Sequence, residues 1–100
     1  MSEHPLSVFQ ELDPGVLKHI REMDEFVFAA GEVPRKTKLL LAMAFDAAHG
    51  AVNGVRALAT AAMQEGATRG EIAEVLRVAA HLGGVGVFYT AAAALREVMR

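Results

Sequence analysis

The sequence predicts an all-α protein, a compact bundle of five to six helices in a single domain over residues 1–100. Three observations carry that prediction. Apolar residues recur at three- and four-residue spacing through every long segment. No segment alternates apolar and polar residues as a half-buried strand does. Prolines, glycines and capping residues fall at the ends of the periodic runs, where helices start and stop.

Residues 1–12 form a polar lead with Leu6, Phe9 and Leu12 at a spacing of three, which suits one or two helical turns laid on the body. His4 and His19 sit among charged residues and read as solvated. Asp13-Pro14 opens the first long helix, with a carboxylate at the N-cap and proline at the first helical position. Val16, Leu17, Ile20, Met23, Val27 and Ala30 mark its apolar face. Lys18, Arg21, Glu22 and Glu25 mark its wet face, and the helix spans roughly 14–30, with Gly31 as its stop.

Val33-Pro34 opens the next helix, and Arg35, Lys36 and Lys38 lie on its first turn, where the helix dipole disfavours positive charge. Those three need either acidic neighbours or an anionic ligand, and acidic neighbours are the expectation. Residues 39–48 are apolar nearly all round, so this helix is central. His49-Gly50 is the expected break, with one continuous kinked helix as the alternative. A third helix follows over roughly 51–65 and stops at Gly66. Gly50 and Gly54, with Ala47, Ala51 and Ala57, make a small-residue surface that allows close approach or leaves a cavity.

Thr68-Arg69-Gly70-Glu71 fits a capping box. Ile72, Val75, Leu76 and Ala79 then give the fourth helix its apolar face. After Gly83-Gly84 and Gly86, a last helix over roughly 87–99 carries Phe88, Ala91, Ala92, Leu95 and Met99 at helical spacing.

Composition narrows the function classes. The chain is 53% hydrophobic and 22% charged, too apolar for a disordered segment and apolar for so small a monomer. Part of that surface is expected to lie between subunits. The formal charge of −2, without clustered basic and aromatic residues, argues against nucleic acid as a partner. The absence of cysteine removes disulfides, thiolate metal sites and thiol catalysis together. No apolar run reaches the length of a membrane span, and the first residues lack the pattern of a signal peptide, so a cytoplasmic location is expected.

Two blocks now stand out by order and spacing: residues 31–38, reading G-E-V-P-R-K-T-K before an apolar helix, and residues 66–76, reading G-A-T-R-G-E-I-A-E-V-L, followed by Ala79-Ala80 and Gly83-Gly84. The pattern resembles the carboxymuconolactone decarboxylase family, which includes the alkylhydroperoxidase D-like proteins, over roughly residues 6–99. The resemblance implies an all-α subunit that forms homo-trimers or homo-hexamers without an organic cofactor.

In the peroxidase branch a C-x-x-C-x-x-x-H motif opens the helix before G-A-T, and a glutamate stands on the preceding helix. Those positions fall here on Ala51 and Gly54 for the thiols, Leu58 for the histidine and Leu39 for the glutamate. All four side chains are inert. With no thiolate to attack a peroxide, peroxidase activity of the family type is expected to be absent. The decarboxylase branch keeps a histidine where Leu58 stands, so transfer of that reaction does not follow either. A charged group left alone in an apolar pocket is costly. Losing all four together therefore leaves either filled core or an apolar pocket.

Asp46, His49, Asn53 and Arg56 are spaced 3, 4 and 3 and could form a polar stripe beside that site. One reading is acid–base chemistry, with His49 oriented by Asp46 and Arg56 holding a substrate carboxylate. The other is a polar helix edge or an intersubunit network, favoured because no nucleophile completes the set. His81 lies on an apolar background and reads as a satisfied core or interface residue near the pocket. His49, His81 and Asp46 have no metal-ligand spacing, so no metal is expected. Tyr89, the only tyrosine, reads as packing.

Two functional expectations follow. The first is a pocket for a small carboxylated organic molecule, lined by Leu39, Ala51, Gly54, Leu58 and His81, with His49, Arg56 and Asp46 as candidate acid–base groups. The second is a non-catalytic homo-oligomeric binding or scaffold protein whose old site is closed.

Overall fold

A computed structural model describes residues 5–99. Among them are six helices and no strand: α1 (Phe9–Leu12), α2 (Pro14–Phe28), α3 (Arg35–Ala48), α4 (Val52–Gln64), α5 (Arg69–Gly83) and α6 (Gly86–Leu95). The expectation for His4 lies outside the described residues. Leu6 and Phe9 are half-buried, whereas Leu12 is exposed.

Helix α3 is the axis of the molecule. It packs on α2, α4, α5 and α6, and α4 and α5 each pack in turn on α6. Its inward residues Leu39, Leu40, Met43 and Ala47 meet Val55, Ala59 and Ala62 of α4, Ile72, Leu76 and Ala79 of α5, and Val87, Ala91 and Ala94 of α6. Alanine at so many of these positions lets the helices approach closely around Met43, Val55 and Val87, the largest side chains fully removed from solvent.

The first turn of α3 explains its own charges. Lys36 Nζ reaches Glu71 Oε2 at 3.0 Å, and Arg35 Nε lies 3.9 Å from Glu65 Oε2. Arg35 also donates to the Phe28 carbonyl at 3.2 Å, and Lys38 donates to the Ala29 carbonyl at 2.7 Å. Two of the three cations thus satisfy carbonyls at the end of α2 that have no helical partner. Glu71 itself completes the capping box: its backbone N–H donates to Thr68 Oγ1 at 3.1 Å, and its carboxylate accepts from Thr68 N at 2.9 Å.

The break after α3 is sharp. Gly50 takes φ +77°, a conformation that favours glycine, and Ala51 N donates back to Asp46 O at 2.9 Å.

Two expected faces are corrected. On α2 only Leu17 is buried and Met23 and Val27 are exposed, while Phe28, outside the expected face, packs against the core. On α6 the buried residues are Val87, Ala91 and Ala94, while Phe88 and Tyr89 are exposed, and the helix ends at Leu95 rather than near 99. An alanine-rich helix with no charged marker permits more than one inward face, and here Val87, whose N–H donates to the Gly84 carbonyl, lies inward.

Candidate functional site

The four inert positions, Leu39, Ala51, Gly54 and Leu58, are buried or half-buried. Leu39 is 3% exposed, and Leu58 is half-buried against the same core. Ala51 is the N-cap of α4, and Gly54 stands three residues further along, at the positive end of that helix. None of the four is among the residues that line the α2–α3, α1–α2 and α3–α5 hollows.

Gly54 is occupied from outside by Asp46. A Cβ at Gly54 would collide with the Asp46 carboxylate, whose Cγ would lie only 2.8 Å away. The carboxylate therefore rests against the first turn of α4, where the helix dipole favours negative charge. The space a side chain at position 54 would need is filled by this carboxylate.

Asp46 does not orient His49: among the described residues no hydrogen bond joins them. The His49 ring instead bonds through Nδ1 to the carbonyl of Phe45 at 2.7 Å. A carbonyl only accepts, so that bond places the proton on Nδ1 and leaves Nε2 for another partner.

Arg56 is also committed. Its Nε donates to the Ala94 carbonyl at 3.2 Å, tying α4 to the end of α6, and Nη1 donates to Asn53 Oδ1 at 2.9 Å. His81 is exposed in the last turn of α5 and does not line a hollow with His49. Among the described residues no three histidine, aspartate or glutamate side chains could together hold a metal ion.

What the fold does build is an open apolar groove between α3 and α5, with a volume of about 590 Å³. Leu41, Phe45 and His49 form one wall, and Val75, Val78 and Leu82 form the other. Ala44, Ala48, Ala79 and Gly83 make up the rest of the lining. Gly83 lets the helices close at one end, since a Cβ there would lie 3.3 Å from Ala48 Cβ. His49 is the only lining residue with a polar side chain. The sequence held a signal for this groove. Val75, Val78, Ala79 and Leu82 repeat at three and four on α5, as do Leu41, Ala44, Phe45 and Ala48 on α3. Each helix thus carries a second apolar stripe beyond the one its core needs.

The model of the carboxymuconolactone decarboxylase family matches residues 14–97. The crystal structure of the apo form of a carboxymuconolactone decarboxylase family protein from Legionella pneumophila is similar, with a TM-score of 0.82 and 27% sequence identity. That similarity covers 91% of this chain and 81% of the other. No curated protein matches the chain.

Proposed function

This chain belongs to the carboxymuconolactone decarboxylase family, and we propose that it is a thiol-independent member that binds a small, largely apolar carboxylic acid in the groove between α3 and α5. The observation that carries this reading is the groove's lining, apolar throughout except for His49 at its wall. An apolar hollow with one well-placed polar group is the usual form of a small-molecule site. The bond from Nδ1 to Phe45 O fixes the ring, and Nε2 then accepts from the O–H of an un-ionised carboxyl group or, in the imidazolium form, donates to a carboxylate.

Binding is favoured over catalysis by the state of the other candidates. Asp46 rests on α4 and Arg56 holds α4 to α6, so both are committed to the fold. With no cysteine in the chain, a thiolate mechanism has no nucleophile.

The test is calorimetric titration with 2-naphthoate as the probe. Saturable binding is expected, weakened roughly 10-fold by His49→Ala, the size of one hydrogen bond to a charged group. Absence of saturable binding at millimolar ligand would sink the proposal. That result would favour the second reading, a non-catalytic scaffold, which draws its support from Leu39 and Leu58 packing where the related site would be.

A further inference from the structure

We infer that the ligand of the α3–α5 groove is an unbranched aliphatic carboxylic acid of about 12–14 carbons, whose tail continues into the neighbouring hollow between α2 and α3. This rests on the reading above, in which the carboxyl group sits at His49. The second hollow has a volume of about 340 Å³, and Val27, Phe28, Val33 and Ala42 line it. Leu41, 53% exposed, lines both hollows, so the two meet along one helix.

The geometry of α3 sets the length of the ligand. Lys38, Ala42, Phe45 and His49 are spaced 4, 3 and 4, which puts them in one row along the helix. Lys38 and Ala42 belong to the second hollow, Phe45 and His49 to the groove. At about 1.5 Å per residue the row is roughly 16 Å long, and Leu41 stands about 12 Å from His49 along the axis. An extended chain advances about 1.2 Å per bond, so about 13 bonds span the row. A chain of about eight carbons ends short of Leu41, and the carbons beyond it enter the second hollow.

The lining selects a tail with no second polar group. Among the residues that line the second hollow Lys38 alone is charged, and its ammonium donates to the Ala29 carbonyl at 2.7 Å. What Lys38 offers the hollow is its methylene stem. Val27 and Val33 add methyl groups that are left exposed in the isolated chain. A ligand lying along the whole row therefore meets a polar partner only at the His49 end, which describes a carboxyl group on a saturated chain. A compact acid such as 2-naphthoate covers the groove and leaves the second hollow open.

Calorimetric titration with octanoate, dodecanoate and 2-naphthoate, each below its micelle-forming concentration, tests this. A half-covered methylene is worth about 2-fold in affinity, so dodecanoate, four methylenes longer, should bind about 16-fold more tightly than octanoate. Val33→Asn and Val27→Asn each put a polar side chain in the second hollow. Each should weaken dodecanoate about 4-fold, the worth of two half-covered methylenes, and leave octanoate and 2-naphthoate unchanged. Unchanged octanoate binding also shows that a variant still folds, and either variant alone suffices if the other does not. If octanoate and 2-naphthoate bind while dodecanoate gains nothing, or its gain survives the substitutions, the inference fails and the groove stands. If none of the three acids binds, the reading beneath it fails as well.

Discussion

Replacing Gly54 by alanine should destabilise this protein, against the usual effect of that change in a helix. In an ordinary helix interior, glycine to alanine stabilises by about 0.5–1 kcal/mol. Here the new methyl would meet the Asp46 carboxylate, with Cγ at 2.8 Å and Cβ at 3.4 Å. The carboxylate would have to swing off the first turn of α4. Crowding of this kind costs about 1–3 kcal/mol. The expected net loss is then about 1–2 kcal/mol, a fall of roughly 4–15 °C in Tm for a domain of this size.

Asp46→Ala alone should cost only about 0.3–1 kcal/mol, the value of a carboxylate at a helix N-terminus. Combined with Gly54→Ala it removes the collision, so the double variant should be more stable than Gly54→Ala. The cycle should give a coupling of about 1–3 kcal/mol. Urea unfolding followed by circular dichroism, at one fixed protein concentration, reads all four proteins. If Gly54→Ala is stabilising, or the coupling is zero, then Asp46 does not occupy that space and its assignment to the fold is mistaken.

Two further outcomes follow from the same structure. Arg56→Met should destabilise by about 1–3 kcal/mol, because it strips the Ala94 carbonyl and Asn53 of their donor. The same variant should bind 2-naphthoate unchanged in calorimetry, where a residue holding the ligand's carboxylate would weaken it. The Glu71 carboxyl is held below its ordinary value of 4.5, chiefly by the backbone hydrogen bond at Thr68 and then by Lys36. A depressed folded pKa favours the charged form in the fold. Its contribution is therefore complete above pH 4.5 and fades as pH falls through the lower folded value. The stability gap between wild type and Glu71→Gln, read by urea unfolding, should accordingly be constant near neutrality and shrink below pH 4.5.

Local signals predicted the elements well. Asp13-Pro14, Gly50, Gly66 and the capping box at Thr68 mark ends by chemistry that acts within a few residues, and each end falls where that chemistry places it. The roles of Arg35, Lys36 and Lys38 were half legible: acidic neighbours were expected, and Glu65 and Glu71 supply them. The two carbonyls at the end of α2 could not be foreseen, because that contact depends on how α2 meets α3. The inward face of α6, at Val87, Ala91 and Ala94, is not legible from periodicity for a similar reason, since a run of four alanines marks no single face. At the site, the stripe of Asp46, His49, Asn53 and Arg56 suggested shared chemistry. Position along a helix does not say what else comes near, and Gly54, Phe45 O and Ala94 O claimed three of those side chains separately.

Chemical-shift mapping on labelled protein during titration with 2-naphthoate locates the bound ligand directly. Saturable shifts are expected at Leu41, Phe45, His49, Val78 and Leu82, the walls of the α3–α5 groove. Shifts centred instead on Leu39, Ala51, Gly54 and Leu58 would contradict binding in that groove, and would return the working site to the positions this fold has filled.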